Sequence, residues 1–143
     1  LLAKEELNRA PFFKEAMKLF CITIDRDDPK NAVKALRKIL EYLKNGESIG
    51  LFPEGTRTKD NLIATFAPGS LKIAYKSKKI LVPLVVDGTG DAMPRKSWIV
   101  RPAKIQAIIL EPVHPDDFPS YEVYESTIQE RMQQGLNSLR LGH

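Results

Sequence analysis

Seven residues in a row, Ile80-Leu81-Val82-Pro83-Leu84-Val85-Val86, carry no polar side chain. A run so short and so rich in branched residues predicts a strand, and apolar residues at both parities predict one covered on both faces. Such a strand needs helices on either side, so the remaining apolar segments decide the fold class. Upstream, Val33, Leu36, Leu40 and Leu43 recur at three- and four-residue spacing, a helical stripe that Asp28-Pro29 opens and Asn45-Gly46 closes. Further strands are predicted over 20–24, 48–52, 98–100 and 105–110, and helices over 70–75 and 121–139. Shorter helical turns are predicted over 4–8 and around Met17 and Leu19. This alternation predicts an α/β fold, a mixed and mostly parallel sheet flanked by helices. A chain of 143 residues, 43% of them hydrophobic, can bury one core, so 1–143 is expected to be one domain.

Charge and cysteine content then narrow the function classes. A formal net charge of +4 favours anionic partners without naming one. Against nucleic acid, the basic residues alternate with acids and the aromatics form no stacking series. The lone Cys21, between Phe20 and Ile22, cannot form an internal disulfide, and its apolar neighbours predict a buried thiol with no activating base. One cysteine with the separated His114 and His143 supplies too few ligands for a zinc centre. Gly88-Thr89-Gly90 lacks the lysine and glycine pattern of a phosphate loop and reads as a turn after the 80–86 strand. No apolar run reaches the length of a membrane span.

The polar cluster with the most chemistry is Leu51-Phe52-Pro53-Glu54-Gly55-Thr56-Arg57. Proline must leave the strand because it has no ladder donor, and ligand sites of α/β sheets gather where strands end. A guanidinium fork, a hydroxyl and a glycine-exposed amide are the donors a phosphate needs. Glu54, acceptor-only when ionised, suits a substrate hydroxyl or an arginine. Asp25-Arg26, after the preceding strand, offers a second base. A plain Pro-Glu-Gly turn with surface ion pairs explains the same residues, and the local pattern leaves both readings open.

LFPEGTR resembles the signature of the glycerolipid acyltransferase family, of which 1-acyl-sn-glycerol-3-phosphate acyltransferases are members. Leu2-Ala3-Lys4-Glu5-Glu6-Leu7 with Pro11-Phe12-Phe13, Ile24-Asp25-Arg26, Phe66-Ala67-Pro68-Gly69-Ser70 and Ile80-Leu81-Val82-Pro83-Leu84 resemble further family blocks in the same order, through about Gly88. Ala67-Pro68 departs from the usual wording of the third of these. The resemblance implies transfer of an acyl group from acyl-CoA or acyl-carrier protein, with no cofactor, to lysophosphatidate (1-acylglycerol 3-phosphate) or glycerol 3-phosphate. It implies that Arg26 and Arg57 contact the acceptor phosphate, that Gly55 and Thr56 line it, and that Glu54 positions the glycerol or its neighbouring bases. Val82 and Pro83 would shape the pocket. It also implies work at a membrane surface, on the cytosolic face, with Phe12-Phe13 a candidate contact.

The same resemblance implies a general base from an asparagine-histidine pair followed four residues on by an aspartate. Neither His114, between Pro112 and Pro115, nor His143 stands in that arrangement. Together with an opening of Leu1-Leu2-Ala3 and no initiator methionine, this leads to the expectation of an acyltransferase domain truncated on its N-terminal side, with no catalytic residue of its own and negligible transfer alone. A non-catalytic phospholipid-binding module is the rival reading.

Overall fold

The computed structural model describes residues 2–4, 22–24, 29–56, 62–94 and 99–141, and the chain divides into two compact units, 1–52 and 53–143. In the first unit, strands β1 (Leu2–Lys4) and β2 (Ile22–Ile24) pair in parallel, Leu2 opposite Ile22 and Lys4 opposite Ile24. Helix α1 (Pro29–Lys44) packs on β2 and starts on the proline the sequence marked, since the first turn has no partner for that N–H anyway. Ala35 and Ile39 are buried one turn apart, while Val33, Leu36 and Leu40 are exposed. Gly46, at φ +83°, closes the helix, and the Glu47 amide reaches back to the Tyr42 carbonyl at 3.0 Å.

The second unit is built on an antiparallel pair, β3 (Leu84–Asp87) and β4 (Gln106–Ile109), with Leu84 opposite Ile109 and Asp87 opposite Gln106. Helix α2 (Lys72–Ser77) precedes the sheet, the single helical turn α3 (Thr89–Ala92) follows β3, and the long helix α4 (Tyr121–Leu141) closes the unit. Tyr124, Ile128 and Leu136 on α4 are buried with Leu71, Val85 and Val113. An aromatic cluster joins α2 to α4: the Tyr75 ring lies 5.9 Å from Tyr121 and 5.2 Å from Tyr124, and Phe118 meets Tyr124 edge-on at 5.4 Å.

The expected mixed, mostly parallel sheet is corrected here. Among the described residues, parallel pairing is confined to β1 and β2, while β3 and β4 run antiparallel. A parallel return needs a crossover, normally a full helix laid on the sheet. The segment 88–105 holds only one helical turn among its described residues, so the chain doubles back. The 80–86 segment also differs from a strand covered on both faces. Val85 is buried, whereas Leu84 and Val86 are exposed, the alternation of a half-covered antiparallel strand. Residues 48–52 are described and form no strand, and Lys4, read as part of a helical turn, belongs to β1.

Candidate functional site

Pro53 and Glu54 form a turn, and Gly55 takes the left-handed φ of +66° that a side chain disfavours. Two hydrogen bonds tie this turn to a distant stretch. The Ala67 amide donates to the Pro53 carbonyl at 2.8 Å, and the Ala64 amide donates to Glu54 Oε2 at 2.8 Å. An ionised acceptor makes the second bond a charge-assisted one. The stretch that receives the turn is the other sequence block, Phe66-Ala67-Pro68-Gly69-Ser70. There Phe66 is buried, Gly69 takes φ +73°, and the Ser70 amide closes on the Ala67 carbonyl at 2.9 Å before α2 begins. Ser70 Oγ is buried without a hydrogen-bond partner.

Two motifs separated in sequence are therefore one structure. Glu54 is half-buried, Gly55 and Thr56 are exposed, and the corner they form is held by backbone and carboxylate bonds. A stretch with a fixed backbone and an accessible glycine can present amides to an anion at little ordering cost. Arg26 and Arg57, with Asp25, Cys21, Phe12, Phe13 and His143, lie outside the described residues. Val82 and Pro83 occupy the approach to β3. Leu81 forms a two-bond bridge with Val113, at 3.0 and 2.7 Å, and the Leu110 amide takes the Pro83 carbonyl at 2.9 Å. Pro83 is buried and Val82 is half exposed. His114 is exposed, and its carbonyl accepts from the Asp117 amide at 3.1 Å in the short turn Pro115–Asp117, a loop histidine as its flanking prolines suggest.

A second polar concavity escaped the sequence reading. A shallow cleft of about 380 Å³ is lined by Asp87, Gly88, Asp91, Lys104, Gln106 and Arg140. Arg140 grips Asp87 through two bonds, Nε to Oδ2 at 2.8 Å and Nη2 to Oδ1 at 2.9 Å. The hydrogen bond from Arg140 holds the Asp87 carboxyl below its ordinary range. Its partners lie 53 residues apart, and neither stands in a motif, so no local pattern could have revealed the pair. Among the described residues there is no cluster of three metal-ligating side chains, and no helix is long and apolar enough to cross a membrane.

A family model described as Acyltransferase matches residues 1–87. The chain belongs to the acyltransferase family. The acyltransferase match takes in Arg26, the whole of LFPEGTR, the Phe66–Ser70 block, Val82 and Pro83. The crystal structure of the 1-acyl-sn-glycerophosphate acyltransferase PlsC from Thermotoga maritima superposes with a TM-score of 0.82 at 34% identity, over 97% of this chain and 56% of that one. The chain thus has an acyltransferase-like α/β fold that includes a small antiparallel sheet. A chloroplastic 1-acyl-sn-glycerol-3-phosphate acyltransferase of Arabidopsis thaliana is 37% identical over 65% of this chain and 26% of its own length. A probable enzyme of the same name from Mycoplasma pneumoniae is 32% identical over 82% of this chain and 47% of its own. This acyltransferase chain accordingly spans about a quarter to a half of the curated relatives it matches.

Proposed function

We propose that the natural protein transfers an acyl group from acyl-CoA or acyl-carrier protein to the free hydroxyl of 1-acylglycerol 3-phosphate, giving phosphatidate. The hydroxyl oxygen attacks the thioester carbonyl, the thiolate leaves, and a base takes the hydroxyl proton. The observation that carries the reading is the similarity through residues 1–87, because the curated relatives and the solved structure named above are all acyltransferases for that acceptor. The tied corner of Glu54, Gly55 and Thr56 supports it by being the sort of fixed amide and hydroxyl surface a phosphate needs. Arg26 and Arg57 supply the countercharge in this reading. Glu54, already bound to the Ala64 amide, keeps the corner shut and so positions the acceptor through the backbone. Val82 and Pro83 border the pocket. His114 sits in a plain turn, and in this reading the general base is the histidine of the family's asparagine-histidine pair, which these 143 residues do not contain.

The test is thioester-dependent transfer by the full-length natural protein, offered glycerol 3-phosphate and 1-acylglycerol 3-phosphate in separate assays, with the 143-residue chain in parallel. Transfer by the full-length protein, to the monoacyl acceptor only, is expected. Arg57→Ala should raise KM for that acceptor by about ten- to a hundredfold, the loss of a charge-assisted phosphate bond. Equal transfer to glycerol 3-phosphate would move the assignment to that acceptor. Substantial transfer by the 143-residue chain would refute the placement of the base.

A further inference from the structure

From Leu62 to Ser70 the chain forms neither helix nor strand, so no regular ladder of hydrogen bonds sets its course. Within that stretch Phe66, 5% exposed, is the one buried residue, while Thr65 and Pro68 on either side of it face water. The amides that tie the stretch to the Pro53-Glu54 turn stand two residues before Phe66 and one residue after it. Ala64 donates to Glu54 Oε2 and Ala67 to the Pro53 carbonyl, both at 2.8 Å. One buried ring therefore sits between the two donors that hold the corner of Glu54, Gly55 and Thr56.

An irregular backbone keeps its place only where side-chain burial and hydrogen bonds hold it. The far end of the stretch is held by the Ser70 amide on the Ala67 carbonyl and by Leu71, 2% exposed. Nearer the ties the hold is Phe66, and burying a phenylalanine ring outweighs one ordinary hydrogen bond. Because the ring lies between the two donors along the chain, its seat sets where both amides stand. Gly55 has no side chain to pack and Thr56 is exposed, so the corner takes rigidity from these ties.

We propose that Phe66 is a positioning residue for the acceptor: it seats the Ala64 and Ala67 amides, and through them holds Glu54, Gly55 and Thr56 in the arrangement that meets the phosphate. The role rests on the acceptor site proposed above and adds to it a residue that acts only through its neighbours. A residue of this kind changes how well the acceptor binds in ground state and transition state alike, so it moves KM and leaves kcat.

The experiment uses the full-length natural protein with 1-acylglycerol 3-phosphate. Phe66→Ala should raise KM for that acceptor about tenfold with kcat little changed, the worth of one charge-assisted hydrogen bond. Phe66→Leu, which refills the core, should restore most of the loss. Glu54→Ala cuts the same connection from its other end without opening the core, and Glu54→Gln, whose amide oxygen still accepts, should lose less. The double variant Phe66→Ala, Glu54→Ala should raise KM no further than Glu54→Ala alone, because both changes break one connection. KM factors that multiply in the double variant would overturn the proposal, as would a Phe66→Ala protein with the parent's KM. Phe66→Val carries the same cycle if Phe66→Ala does not fold by circular dichroism. Amide hydrogen exchange reads the ties with no acceptor present, and Ala64 and Ala67 should both exchange faster once the ring is truncated. Unchanged exchange would overturn the role of Phe66 while leaving the acceptor assignment standing. A parent protein without transfer to this acceptor would instead remove the assignment, and this role with it.

Discussion

Gly88 is held to glycine by two independent demands. Its φ is +85°, and a Cβ added to it would lie 2.0 Å from the backbone oxygen of Lys104, which no side-chain rotation can relieve. Gly46 shares the first demand, at φ +83°, without the second, for nothing lies within 4 Å of its missing Cβ. Gly46→Ala should therefore cost about 1 kcal/mol, the ordinary penalty of a left-handed backbone. Gly88→Ala should cost about 3 kcal/mol, because the Lys104 backbone must move as well. Urea denaturation of the two variants separates the contributions, and equal costs would mean that the Lys104 contact yields easily. The sequence marked Gly88-Thr89-Gly90 as a turn after the strand; Gly88 makes the bend that leaves β3, and Thr89 and Gly90 already belong to the helical turn α3. The close approach was invisible, since it depends on a residue sixteen positions away that only the antiparallel return of β4 brings near.

Helix α4 shows what patterning can and cannot convey about an element. Its start is legible: the Val123 amide donates to Ser120 Oγ at 3.3 Å, and the Tyr124 amide to the Ser120 carbonyl at 3.1 Å, as a serine cap predicts. Its buried residues Tyr124, Ile128 and Leu136 fall at four- and eight-residue intervals, one face of the helix expected over 121–139. What the stripe omits is Gly135, which is buried and brings the helix close to the sheet. A Cβ there would stand 3.0 Å from Leu110 Cδ2 and 3.5 Å from Val85 Cγ2. Gly135→Leu should destabilise the second unit by about 1–3 kcal/mol through overpacking, measured by chemical denaturation, despite leucine's better helix propensity. An unchanged midpoint would show that the helix can lift off β3 and β4 freely. The sheet was the least legible element. Strand positions near 22–24, 84–87 and 106–109 were readable from apolar runs, but pairing direction is a property of the connection. The site was legible as two motifs, and their union through Glu54 and Ala64 was not, because a carboxylate accepting one particular amide leaves no periodic trace.

At the scale of the whole molecule, stability should have an acid edge and an alkaline edge with different origins. On the acid side, the hydrogen bond from Arg140 lowers the Asp87 pKa from its ordinary 3.8, and Glu122 is lowered by its own backbone amide and the Ser120 hydroxyl. Groups depressed by folding stabilise the protein above their unfolded pKa, and that contribution disappears as pH falls through the folded values. The loss therefore begins near pH 4 and continues below it. On the alkaline side, burial pushes the Tyr124 phenol up to about 12 from an ordinary 10.0. Burial also raises Tyr121, whose hydroxyl donates to Glu125. For these groups folding favours the protonated form, so their contribution is complete below pH 10 and falls between pH 10 and about 12. Tyr124 isolates one part of that edge. Its ring packs against Tyr75 and Phe118, but its oxygen is buried with no hydrogen-bond partner. Tyr124→Phe keeps the ring and deletes an unsatisfied polar atom, so at neutral pH stability should stay level or rise by up to about 1 kcal/mol. Between pH 10 and 12 the variant should lose less stability than the parent, with Tyr121 accounting for the remainder. Urea midpoints taken at pH 7, 10 and 11.5 on both proteins decide it. Parallel curves, offset or not, would mean that the Tyr124 hydroxyl reaches water on ionising and that its burial does not set the alkaline limit.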